Sequence, residues 1–187
     1  MIMSTLIDDF TSGSHDVTIQ SGVELNYQTG SMLGGGRYTQ LIVANNPQNQ
    51  PAHLDITNGF FNLSVGAMQY LRLELGYPYE PDGSGGGRPL SFIDQGVGDF
   101  LSMGTAFRTK FRFSDLMPIN YNILVFTASG WTIYGENISA PPFVPSHFDF
   151  PFARFTGPGG SDFSRVSIIV FIFQTWADFV IDSFEIV

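Results

Sequence analysis

The sequence predicts an all-β protein, a single antiparallel β-sandwich of jelly-roll type spanning residues 1–187. Three observations predict it. Apolar residues recur with period two along most of the chain, the spacing that sets alternate side chains on one face of a strand. No window sustains the 3.6-residue period of an amphipathic helix. The apolar runs are short and are separated by turn chemistry: Gly34-Gly35-Gly36, Asn45-Asn46-Pro47, Pro81-Asp82-Gly83, Gly85-Gly86-Gly87, Pro141-Pro142 and Gly157-Pro158-Gly159-Gly160. Short strands broken at close intervals by Gly and Pro are the pattern of a sandwich or barrel.

In chain order, Val17-Thr18-Ile19-Gln20, Leu54-Asp55-Ile56 and Phe61-Asn62-Leu63-Ser64-Val65 alternate. Leu71-Arg72-Leu73-Glu74-Leu75 reads as a half-buried strand with both charges on its wet face. Phe107 to Phe113 alternates with Arg108, Lys110 and Arg112, which gives a cationic outer side. Ile123-Leu124-Val125-Phe126 and Ile168 to Phe173 are apolar throughout, β-branched or aromatic, and too short for helices. They read as central strands buried on both faces. Phe179 to Ile186 closes the series. About eight to eleven strands fit this spacing. Residues 78–89 are expected to form a flexible loop, and 139–151 a Pro-rigidified connection across one end of the sandwich.

Composition bounds the function. Hydrophobic residues make up 43% of the 187, and Phe alone contributes 19. That is a globular chain of a length that usually folds as one domain. Charged residues are 13%, about half the usual share, and the net charge is −9. A nucleic-acid partner needs a basic footprint that this chain lacks. An anionic membrane surface would repel it, and no run reaches the ~18 apolar residues of a span. Cysteine is absent, which excludes disulfides, thiol nucleophiles and Cys-type metal sites. The single lysine, Lys110, follows no P-loop glycine pattern. Met1-Ile2-Met3-Ser4 carries neither the basic region nor the apolar run of a signal peptide.

The opening Leu6-Ile7-Asp8-Asp9-Phe10-Thr11-Ser12-Gly13, followed by Gly30-Ser31-Met32-Leu33-Gly34-Gly35-Gly36-Arg37, resembles the start of exported bacterial β-sandwich domains of the cyanobacterial, sorting-tail type. The closing Asp162-Phe163-Ser164-Arg165-Val166, Ile168 to Phe173 and Asp178 to Phe184 resemble the end of the same domains. Both ends are similar to those of galactose-binding-like jelly rolls. The sorting tail itself, a hydrophobic helix with a basic end, is missing. The resemblance implies a fold and an extracellular or cell-surface setting, and no reaction. In such sandwiches the first and last strands lie near one another, which would bring Asp8, Asp9, Asp182 and Glu185 to one edge. Hard carboxylate oxygens there would suit a structural Ca²⁺, which takes about 6–8 oxygen ligands. The alternative is that Asp8 and Asp9 face solvent or cap a turn, while Asp182 alternates outward beside buried Ile181.

The other constellations are weaker. Glu80-Pro81-Asp82-Gly83-Ser84-Gly85 echoes a calcium loop, but Ser91 stands where the bidentate Glu belongs, so a hairpin loop is the better reading. His15, His53 and His147 are far apart, and no Gly-x-Ser-x-Gly elbow exists. Glu74 and Glu136 are the nominees for a glycosidase carboxylate pair, with surface solvation as their ordinary role. Asn62-Leu63-Ser64 and Asn137-Ile138-Ser139 match the glycosylation sequon. The stronger lead is a set of aromatic residues beside polar or turn residues. Tyr77 and Tyr79 flank Pro78 at the mouth of the Gly-rich loop, and Trp131, Tyr134 and Trp176 sit among Ser, Gly, Thr and Asp. Flat rings for stacking, with Arg88 and Asn137 as edge contacts, suit carbohydrate recognition. Both tryptophans would otherwise plug the ends of the core. The sequence therefore supports a non-catalytic module that binds carbohydrate or another surface component. A self-assembling structural subunit is the alternative, and a polysaccharide-active enzyme the third reading.

Overall fold

A computed structural model describes residues 4–115, 118–139, 141–160 and 162–187. Met1 to Met3 of the opening tetrapeptide, and Ala140 within the 139–151 segment, lie outside them. Among the described residues the chain forms fifteen strands: β1 (Thr5–Asp8), β2 (His15–Ile19), β3 (Gly22–Thr29), β4 (Gly36–Asn45), β5 (Ala52–Thr57), β6 (Phe60–Ser64), β7 (Tyr70–Tyr77), β8 (Tyr79–Pro81), β9 (Gly87–Pro89), β10 (Ala106–Ser114), β11 (Ile119–Thr127), β12 (Gly130–Ile138), β13 (Ser146–Pro151), β14 (Val166–Thr175) and β15 (Phe179–Ile186). Helix among the described residues is confined to two 3₁₀ turns, Phe100–Ser102 and Phe152–Arg154.

Two antiparallel sheets face each other. One has seven strands in the order β13-β10-β15-β6-β5-β2, with β1 also paired to β15. The other has six in the order β12-β11-β14-β7-β4-β3, and β8 and β9 form a separate hairpin. The chain crosses repeatedly between layers: β2 in the first, β3 and β4 in the second, β5 and β6 in the first, β7 in the second, β10 back in the first, then β11 and β12, β13, β14 and β15 in turn. This is jelly-roll connectivity, and it places the first and last strands side by side, Leu6 opposite Glu185.

Between the sheets lies one apolar interior. Fourteen of the nineteen Phe side chains are buried, so the layer is filled mainly by aromatic rings. Phe171 stacks on Phe184 at 4.0 Å, and Tyr121 on Phe173 at 4.3 Å. Each such side chain contributes roughly 1.5–3 kcal/mol by leaving water.

Among the described residues, polar side chains join the two layers across the interior at two places. Arg37 of β4 is fully buried. It ion-pairs with Asp8 of β1 and donates to Gln28 Oε1 at 2.8 Å and to the Gly13 carbonyl at 2.5 Å. Asp8 also accepts from the Tyr77 hydroxyl at 2.7 Å and the Phe10 amide at 2.8 Å. Farther along, Thr109 of β10 and Tyr121 of β11 share a 2.6 Å hydrogen bond. The Arg37–Asp8, Tyr77–Asp8 and Thr109–Tyr121 contacts each link one sheet to the other.

Three local expectations are corrected. Phe126 is 37% exposed, because β11 has only the edge strand β12 beyond it, so this run is not buried on both faces. The 139–151 segment ends in a strand, β13, which pairs with β10 along the sheet edge. Residues 78–89 form the β8–β9 hairpin. Its tip is tied by Asp82 Oδ1, which accepts from the Ser84 amide at 2.9 Å, the Ser84 hydroxyl at 2.7 Å and the Gly86 amide at 3.2 Å. Those bonds, the Ser84 hydroxyl first, hold the Asp82 carboxyl below its usual range.

Candidate functional site

The outer faces of the two sheets differ in chemistry. The seven-stranded sheet shows water a ladder of ion pairs. Arg108 grips Asp149 with two 2.7 Å bonds, Lys110 meets Glu185 at 2.5 Å, and Arg112 meets Asp182 at 2.8 Å while lying 3.7 Å over the Phe60 ring. His53 reaches Asp16 at 2.9 Å. This is an ordinary solvated surface.

The outer face of the six-stranded sheet is organised in rows. Strand register places Asn137, Asn120, Gln174, Arg72 and Ile42 at one level on successive strands, and Gly135, Asn122, Ile172, Glu74 and Gln40 at the next. These are the outward positions of strands whose alternate residues, such as Tyr121, Ile123, Phe171, Phe173, Leu73 and Leu75, fill the core. Seven of these ten positions are polar, at least one on each of the five strands, and together they form a band across the sheet. Asn122 Nδ2 donates to Asn120 Oδ1 at 2.7 Å, and Asn120 Nδ2 donates to Asn137 Oδ1 at 3.1 Å. Arg72 Nε donates to Glu74 Oε1 at 2.7 Å, and the Tyr38 hydroxyl donates to Glu74 Oε2 at 2.8 Å. Burial, then the adjoining Glu74 carboxylate, pushes the Tyr38 hydroxyl far up, so it stays a donor.

The band has two apolar margins. On one side Trp176, 41% exposed, lies against Tyr70 at 5.0 Å. On the other, Tyr38, Val170 and Ile172 form a small cluster with Tyr27, Tyr79, Leu124 and Ile168 packed around it. The T-shaped Tyr38–Tyr79 contact at 4.6 Å seats the β8–β9 hairpin on this cluster. Phe126 and Trp131 lie opposite each other at the β11–β12 end. Two glycines keep the floor low. A Cβ at Gly76 would come within 2.0 Å of the Tyr38 ring, and one at Gly135 within 2.0 Å of Asn122 Oδ1. Each glycine lets its neighbour lie flat across the sheet instead of standing up from it.

Of the aromatic and edge residues singled out in the sequence, Trp131, Asn137 and Trp176 point outward from this one sheet. Tyr79 lies at its margin, and Arg88 is on the hairpin beside it, paired with Glu80. Tyr77 is a correction. It is fully buried, because it continues the inward series Leu71, Leu73, Leu75 to the end of β7, and its hydroxyl is satisfied by Asp8.

The four carboxylates expected at one edge do not converge. Asp8 turns into the core onto Arg37. Asp9 Oδ1 accepts from the Thr11 amide at 3.1 Å and hydroxyl at 2.6 Å, closing its own turn. Asp182 and Glu185 face Arg112 and Lys110. Burial raises the Glu185 carboxyl, but the Lys110 and Ser183 hydrogen bonds outweigh it and leave it below its usual range. Among the described residues no three His, Asp or Glu side chains are grouped to hold a metal ion.

Glu74 and Glu136 do not form a pair. Glu136 lies opposite inward-facing Tyr121 and accepts from Tyr134 at 3.2 Å, so the two carboxylates leave opposite faces of the sheet. His147 and His15 sit on strands at opposite edges of the seven-stranded sheet. Sequence reasoning missed Arg72, Asn120, Asn122 and Gln174 as candidate contacts. The available signal was their phase, polar amides and charges at every second residue of strands with apolar inward positions.

No protein-family model matches the chain, and no curated protein sequence does. Solved structures do. A family 11 carbohydrate-binding module from Clostridium thermocellum, in complex with a β-1,3-1,4-mixed-linked tetrasaccharide, is 12% identical; the match covers 100% of this chain and 96% of that one, with a TM-score of 0.42. The solution structure of CtCBM11 gives 14% identity, coverage of 100% and 95%, and a TM-score of 0.43. TmCBM61 in complex with β-1,4-galactotriose gives 12% identity, coverage of 88% and 87%, and a TM-score of 0.32. The likeness stops at general architecture. Among the described residues no helix is long and apolar enough to cross a membrane.

Proposed function

We propose that this protein is a non-catalytic module that binds carbohydrate through the outer face of the six-stranded sheet, in an extracellular or cell-surface setting. One observation carries the reading. The polar groups of this face are mostly amides set between exposed aromatic rings, whereas the opposite sheet presents ion pairs. Amides donate and accept at once, as sugar hydroxyls do, and flat rings such as Trp176 offer apolar area at low entropic cost. Trp131, Asn137 and Trp176 are the contacts on the face, with Tyr79 and Arg88 at its margin. A binding panel of polysaccharides on the purified chain tests the proposal. Binding to at least one glycan that falls at least tenfold in Trp176→Ala, with the variant folded by circular dichroism, is the expected result. A folded protein that binds none overturns it.

Self-association is the second reading, favoured by the edge strand β3, where Val23 is 57% and Leu25 43% exposed on the outward side. Light scattering across a concentration series decides it, and a monomer at every concentration removes it.

A further inference from the structure

Resting on that reading, we infer that the ligand is an uncharged polysaccharide whose chain lies across the strands, along the polar band from Asn137 to Gln40. Direction follows from the rows. Along any one strand the polar run is short: on β11, Asn120 and Asn122 give way to Leu124 and Phe126, and on β14, Gln174 gives way to Ile172 and Val170. Across the strands the polar groups continue from β12 to β4. Four strand spacings make this path ~19 Å long, room for several linked sugar rings. Trp176 and Tyr70 border one long side of the path and the Tyr38 cluster the other.

The ligand's charge follows from the partners already taken. The cation of the band, Arg72, is held by Glu74, with side-chain nitrogen and oxygen 2.6 Å apart. A carboxylate or sulfate on the polymer would have to displace Glu74, and it would approach a chain of net charge −9. An anionic group is also only an acceptor, whereas the relay Asn122 to Asn120 to Asn137 ends in an exposed amide that offers both roles. Hydroxyl groups match this surface and anions do not.

The test is calorimetric titration of the full chain with neutral glucan, galactan, xylan and mannan, and with polygalacturonate and alginate. It is followed by oligosaccharides of increasing length from whichever neutral polymer binds. Affinity is expected for a neutral polymer and not for the polyuronates. It should rise with chain length until the ligand spans β12 to β4, then level off. Gln40→Ala at one end and Asn137→Ala at the other should each weaken the longest oligosaccharide about tenfold, the loss of one hydrogen bond. Shorter oligosaccharides should feel at most one of the two substitutions. Preference for a polyuronate overturns the charge argument and leaves the module standing. Affinity independent of length, or sensitivity at one end only, overturns the direction. A folded chain that binds no polysaccharide at all overturns the parent reading instead.

Discussion

Removing the Arg37 cation tests the account of the interior directly. Arg37→Met keeps much of the side chain's length and apolar stem while deleting the guanidinium. Asp8, 1% exposed, would then keep only the Tyr77 hydroxyl and the Phe10 amide as partners. Gln28 Oε1 would keep only the Thr39 hydroxyl, and the Gly13 carbonyl would lose its Arg37 donor. Breaking one side of a buried ion pair costs about 3–5 kcal/mol, a large part of the roughly 5–15 kcal/mol that holds a domain together. At roughly 2–4 °C per kcal/mol for a chain of this length, Tm should fall by about 6–20 °C. Thermal and urea unfolding followed by circular dichroism would measure it. The double variant Asp8→Asn, Arg37→Met removes the stranded charge and should recover part of the loss, a coupling readable as a double-mutant cycle. If Arg37→Met loses less than about 1 kcal/mol, the figure for a solvent-exposed pair, the burial argument is wrong.

Further outcomes follow from other parts of the structure. Gly76→Ala sets a methyl group into the Tyr38 ring and should cost about 1–3 kcal/mol by overpacking, with a weaker glycan response if the ring leaves Glu74; an unchanged Tm would mean that the ring has space to move. Asp149 and Glu185 both sit below their ordinary values of 3.8 and 4.5, so the folded state binds fewer protons there than the unfolded one. Their contribution is complete above those values and is lost as pH falls through the lower folded ones. Asp149→Asn with Glu185→Gln should therefore flatten the acid limb of a plot of Tm against pH, and a parallel limb would sink the assignment. Since Asp8, Asp182 and Glu185 face protein cations, a chelator should leave Tm unchanged. A fall reversed by added Ca²⁺ would restore the metal site expected from the sequence.

Much of the architecture was legible because inward and outward residues alternate in kind. Leu71 to Leu75, Phe107 to Phe113 and Phe179 to Ile186 show their faces in the residue types alone. β3 and β4 do not, because there the pattern is inverted. Gln28, Arg37 and Thr39 point inward, satisfied by one another and by Asp8, while Tyr27 and Tyr38 point outward. A rule that places charge in water reads that stretch wrongly, and the same inversion hid the role of Asp8. Tyr77 could have been placed from its phase with Leu75, but the neighbouring Pro78 and the Gly-rich run drew it to the surface. The aromatic half of the candidate site was visible as rings beside turns. The amide band was not, because it exists only once β12, β11, β14, β7 and β4 stand in that order and register.

The polar contacts between the layers also bear on how the sandwich keeps its shape. Apolar packing resists separation of two sheets but is indifferent to small sliding and rotation, since one methyl contact replaces another at little cost. Hydrogen bonds are directional. Among the described residues, Tyr77, which shares Asp8 with Arg37, and Tyr121 mark two points at which the six-stranded sheet is fastened to its partner, and they stand two strands and four residues apart in register, which is about 10 Å across and about 13 Å along the layer. A single fastening would let one layer swivel about it; two at that separation define an angle. The orientation of the amide band relative to the rest of the molecule is in this sense pinned from underneath. Repacking the apolar layer with residues of similar volume should leave that angle alone, whereas losing the Tyr121 hydroxyl, or the Tyr77 hydroxyl together with the Arg37 cation, frees it.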